Sequence, residues 1–89
     1  MNSNEQHTIY IVDDHDMLQI GLKNFLESKS DSKVIGTAKT IDSTKALLDS
    51  QLPDLIIIDV ELANENGFDL AAYIKTTFPE LKIVMYSMH

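Results

Sequence analysis

The sequence has no cysteine, which excludes a disulfide framework and any thiolate metal site and agrees with a reducing compartment. It has no basic, apolar start: Met1 to Thr8 is polar, and no secretory signal is read there. Long apolar runs are missing too. Runs such as Leu55 to Ile58 and Leu70 to Ile74 fall far short of a bilayer span, so no membrane contact is expected and the cytoplasm is the expected location. Cations are scarce. Seven Lys and Arg residues within a formal net charge of −7 offer no basic cluster for a phosphate backbone, so these residues are not expected to bind nucleic acid.

What remains is a chain of 89 residues, 44% hydrophobic and 24% charged, which describes one small folded domain over 1–89. Thr8 to Val12 is a β-branched and apolar run that stops at Asp13-Asp14, as a buried strand opening into a polar loop would. From Asp16 onward Leu18, Leu22, Phe25 and Leu26 form the apolar stripe of a first helix, read as core. A polar loop, Ser28 to Lys33, leads to a second strand over Val34 to Ala38. Thr40 or Asp42 caps a second helix carrying Ile41, Thr44, Leu47 and Leu48, which must finish before Pro53. Leu55 to Val60 is apolar at consecutive positions, the pattern of a central parallel strand covered on both faces, broken only by Asp59. Asn64 to Gly67 is read as a turn in which Gly67 permits unusual backbone angles. Leu70, Ala71, Ile74 and Phe78 mark a third helix ended by Pro79, and Leu81 to Tyr86 a fourth strand.

Strand and helix alternate throughout, which predicts an α/β fold with a parallel sheet and right-handed crossovers. In such sheets ligands bind beyond the carboxyl ends of the strands. Asp13 and Asp14 follow the first strand, Asp59 ends the third and Ser87 follows the fourth, so the topology brings all four to one edge. Carboxylates so gathered repel one another, and a hard divalent cation is the natural remedy; few carboxylates plus waters and a phosphate suit Mg²⁺. A carboxylate beside that ion can attack an activated phosphoryl group, and a nearby hydroxyl can then bond the new phosphoryl oxygens. Asp59 is the candidate nucleophile and Ser87 the candidate hydroxyl. An Asp13-Asp14 pair alone is equally a helix-capping pair, and His15 is read as a solvated loop histidine, since no second His or Cys lies at ligand spacing.

These motifs carry a resemblance. Ile11-Val12-Asp13-Asp14-His15 with Gly21-Leu22, Pro53 to Val60, Asn66-Gly67, and Ile83 to His89 together resemble the receiver domain of two-component response regulators, the CheY-like family, and most of all its LuxR/FixJ/NarL-type transcription regulators. The resemblance implies a flavodoxin-like, doubly wound sheet of order 2-1-3-4, truncated after the fourth strand. It also implies phosphorylation of Asp59 by a histidine kinase; Mg²⁺ held by Asp14, Asp59 and the main-chain carbonyl of Glu61, with Asp13 acting largely through water; and Ser87 as the switch hydroxyl. Such a domain is a phosphoacceptor in signalling rather than an enzyme, and any DNA binding would belong to a C-terminal output domain.

Two departures stand out. Ala63 occupies the place where the family usually has Pro, and the family's site lysine and aromatic switch residue belong to a fifth strand past His89. Phosphorylation of these 89 residues alone is therefore expected to be slow or undetectable even with Mg²⁺ bound. An exposed fourth strand and a partly uncovered first helix predict a homodimer, element swapping or aggregation. Two other functions compete: a metal-dependent phosphatase or hydrolase using the same acids, and a receiver-like dimerisation module that is never phosphorylated. Glu61 is a weak substitute for the second acid a haloacid-dehalogenase-like phosphatase carries two residues after its nucleophile.

Overall fold

The structure is a computed structural model that describes residues 6–29 and 31–87. Sequence readings that touch Met1 to Glu5, Ser30, Met88 and His89 lie outside those residues. Among the described residues the elements follow in the order β1 (His7–Val12), α1 (Asp16–Glu27), β2 (Ser32–Ala38), α2 (Ile41–Ser50), β3 (Leu55–Asp59), β4 (Glu61–Leu62), β5 (Glu65–Asn66), α3 (Gly67–Thr77) and β6 (Lys82–Tyr86). Four strands form one sheet in the order β2-β1-β3-β6, and all three pairings are parallel. This is the predicted α/β arrangement, with β6 as its fourth member.

Why β3 is apolar at every position follows from its two covered faces. Side chains alternate across a strand, and here Tyr10, Val12, Ile56 and Ile58 join Leu48, Leu70, Ala71 and Ile74 of α2 and α3 in one core cluster. The intervening Ile9, Ile11 and Ile57 join Val34 on the opposite face, with Leu22 and Leu26 of α1 packed against them. Each buried Ile contributes about 1.5–3 kcal/mol relative to exposure. The middle of the sheet is therefore the most costly part to disturb.

Thr40 caps α2 as predicted: its hydroxyl accepts from the Ser43 N–H at 3.0 Å, and the Ser43 hydroxyl in turn accepts from the Thr40 N–H at 3.2 Å. Within α2, Thr44 and Leu48 are buried, and the Thr44 hydroxyl donates to the Thr40 carbonyl at 2.7 Å.

Two readings need correction. The α1 stripe is not a closed core: no residue of α1 is fully buried, and Phe25 is 59% exposed, because only Leu22 and Leu26 reach the sheet. The stretch around Asn64 to Gly67 is more than a turn. Glu61–Leu62 pairs antiparallel with Glu65–Asn66, and the Asn66 side chain then caps α3 by accepting from the Phe68 N–H at 2.8 Å. Nor does Gly67 need unusual backbone angles, since no glycine among the described residues has positive φ. What Gly67 supplies is space. A Cβ there would press into the Asp59 main-chain oxygen and lie 3.1 Å from Ile58 Cγ2.

Candidate metal and phosphoacceptor site

The parallel register delivers the acids together. Val12 pairs with Ile58 and Asp59 with Tyr86, so β1, β3 and β6 finish at one level. Beyond β1 the chain stays anchored, because the Asp13 N–H donates to the Ala38 carbonyl at 3.0 Å and Gln19 of α1 donates to the Asp13 carbonyl at 2.6 Å. Ligand-capable atoms of Asp13, Asp14, His15 and Asp59 all lie within 4.8 Å of one another. Asp13 is fully buried and Asp59 is 3% exposed, an arrangement unfavourable for carboxylates unless donors or a cation compensate them.

The three carboxylates differ in how they are compensated. Asp13 Oδ1 accepts from the His15 N–H at 2.7 Å and lies 2.9 Å from His15 Nδ1, while its Oδ2 accepts from the Tyr86 hydroxyl. Asp59 Oδ1 accepts from the Glu61 N–H at 3.0 Å. Asp14 Oδ1 is buried and accepts no hydrogen bond; His15 Nδ1 stands 3.2 Å away without hydrogen-bond alignment. Among the described residues no lysine pairs with these acids, and Lys39 pairs instead with Asp16 at 2.7 Å. An orphaned carboxylate oxygen beside two further carboxylates fits a hard divalent cation.

His15 is solvated, as read, with a side chain 61% exposed. It also leans on the acids. Its pKa is raised, first by the hydrogen bond to Asp13 and then by the negative charge of Asp14. The sequence reading missed Tyr86. Burial, followed by the hydrogen bond to Asp13 and the surrounding carboxylates, pushes its phenol far above the ordinary 10.0, so it stays a neutral donor. Ser87 lies one residue past β6 and is exposed, at the same end of the sheet. Glu61 opens β4. Asp13 and Asp14 do not cap α1 in the ordinary way, since His15 holds the cap position without a side-chain cap bond.

A doubly wound parallel sheet with an acidic cluster at its strand ends defines a class of α/β domain whose ligand site lies beyond the carboxyl ends of the strands. The sequence model of the response regulator receiver domain matches residues 9–89. The chain belongs to that family. The response regulator protein VraR of Staphylococcus aureus is 31% identical over 77 residues, 86% of this chain and 37% of the relative. The signal receiver domain of the response regulator NarL from Mycobacterium tuberculosis superposes with a TM-score of 0.86 at 22% identity, over 96% of this chain and 68% of that one. RcsB of Salmonella enterica serovar Typhimurium, solved bound to a promoter with the phosphomimetic BeF3-, gives 0.86 at 25% identity, over 96% and 43%. The chain thus spans little more than a third of the length of the curated relatives it matches. It is a signalling domain of two-component systems, and its structural neighbours are NarL-, RcsB- and LuxR-type regulators. No helix among the described residues is long and apolar enough to cross a membrane.

Proposed function

We propose that residues 1–89 belong to a receiver domain that accepts a phosphoryl group on Asp59 from a histidine kinase, in the cytoplasm, as the input side of a transcriptional regulator. The observation that carries the reading is Asp59 itself: a carboxylate closing an otherwise apolar buried strand, within ligand distance of two more. Asp14, Asp59 and the main-chain carbonyl of Glu61 would hold Mg²⁺, with Asp13 acting largely through water. The ion, when bound, supplies charge that offsets repulsion between the acids and the incoming phosphoryl oxygens.

The chain's own residues do the rest. An Asp59 oxygen attacks phosphorus, the P–N bond to the kinase histidine breaks with its electron pair staying on the imidazole, and an acyl phosphate remains on Asp59. The Glu61 N–H holds the other end of that carboxylate in place. Ser87 would donate its hydroxyl to a phosphoryl oxygen and be drawn inward. With no lysine paired to the acids among the described residues, transfer is expected to be slow.

Prolonged incubation with Mg²⁺ and excess small acyl-phosphate donor, followed by intact mass over time, is expected to add one phosphoryl group slowly to the chain and none to Asp59→Asn. Incorporation that survives Asp59→Asn, or a Mg²⁺ titration whose NMR perturbations miss Asp13, Asp14 and Asp59, would overturn the proposal.

A further inference from the structure

Asp13 is the most enclosed of the three carboxylates and the only one whose two oxygens are both engaged by donors of its own chain. Two of those donors come from the adjacent His15. The third crosses the sheet from β6. Strand alternation puts Tyr86 on the same face as Ile57 and Ile9, where its ring packs against the apolar cluster under α1. Its backbone is tied as well, since the Tyr86 carbonyl accepts from the Val60 N–H at 2.8 Å, just past Asp59. The ring therefore has little freedom, and its hydroxyl is delivered to Asp13 Oδ2 by packing rather than by chance contact with solvent.

We infer that Tyr86 is a positioning residue that keeps Asp13 from becoming a direct ligand and thereby makes the site select Mg²⁺ over Ca²⁺. This rests on the proposed reading of the acids as a cation site. A small octahedral ion that retains several waters is served by the open oxygens of Asp14 and Asp59. A larger ion that takes six to eight oxygens, often with bidentate carboxylates, gains from a third carboxylate. With His15 on Asp13 Oδ1 and the phenol on Oδ2, ligation by that third carboxylate, bidentate above all, is disfavoured. Removing the hydroxyl frees Oδ2 while His15 retains Oδ1 and the ring keeps its packing.

The test is calorimetric titration of the chain and of Tyr86→Phe with Mg²⁺ and with Ca²⁺, each alone. Loss of a charge-assisted hydrogen bond is expected to tighten Ca²⁺ about tenfold while Mg²⁺ changes by less than about threefold. A purely structural role would leave the ratio of the two affinities where it was, and that result overturns the inference while leaving the site intact. Failure of the unaltered chain to bind either ion would remove the reading of the site and the inference with it. If Tyr86→Phe does not fold, ζ-¹³C-tyrosine labelling of the unaltered chain decides: the Tyr86 resonance is expected to stay at its hydrogen-bonded position under saturating Mg²⁺. A move to the position of a free tyrosine overturns the inference.

Discussion

Single residues set the tolerances of this site, and Gly67 shows how narrow they are. It begins α3 directly against the Asp59 main chain, with its N–H donating to the Val60 carbonyl at 2.7 Å. Any side chain there must displace backbone at the phosphoacceptor, because the obstacle is a main-chain oxygen rather than a flexible side-chain end. Gly67→Ala is expected to destabilise by about 1–3 kcal/mol or more, the usual cost of overpacking, and to weaken Mg²⁺ binding together with stability. Chemical denaturation with and without Mg²⁺ measures both; a variant as stable as the parent would show that the segment shifts freely. At Gly36 a Cβ would instead lie 2.9 Å from the buried Tyr10 ring, so it would press on the core rather than on the site.

At the scale of elements, α1 is the least buried of the helices among the described residues, and a carboxylate ties its C-terminal end to the sheet. Glu27 pairs with Lys23 at 2.9 Å and accepts from the Val34 N–H at 2.9 Å. Its pKa is lowered, first by the Lys23 bond and then by the Val34 N–H. A carboxylate whose folded pKa lies below its unfolded value contributes stability above the unfolded value and loses it as pH falls through the folded one. The difference in Tm between the parent and Glu27→Gln is therefore expected to be full at neutral pH and to vanish well below pH 4.5. A difference that persists in acid would mean the Glu27 charge has no part in it. By contrast α2 is held at both ends: Glu65 accepts from the Ile41 N–H at 2.9 Å, and the Tyr10 hydroxyl donates to the Leu47 carbonyl at 3.0 Å and also to that of Gln51.

For the molecule as a whole, exposed apolar surface and net charge act in opposition. Met17, Ile20 and Phe25 on α1 are exposed, as is Val84 on the edge strand β6. Such surface favours association, and an open strand edge offers unpaired backbone to a second copy. A net charge of −7 opposes it. Screening decides between them, since the Debye length falls from about 10 Å at 0.1 M salt to about 3 Å at 1 M. Light scattering is expected to report a mass that rises with protein concentration and rises further with salt. A monomer at both salt levels would show that the exposed patches are too small to matter.

Much of this was legible in the linear order of residues: the alternation of strands and helices, the doubly apolar run from Leu55 to Ile58 that requires two covered faces, and the three aspartates at strand ends, because periodicity and strand termini are local properties. What needed the folded chain was register and distance. Only the pairing of Asp59 with Tyr86 reveals that a tyrosine read as ordinary strand sits on the acids, only the approach of α3 explains Gly67, and only packing shows that Phe25 in the α1 stripe faces solvent. A sequence specifies which side chains can be buried and which can bind a cation. Contacts between residues as far apart as Asp13 and Tyr86 depend on how the strands align, and that alignment is a property of the whole sheet.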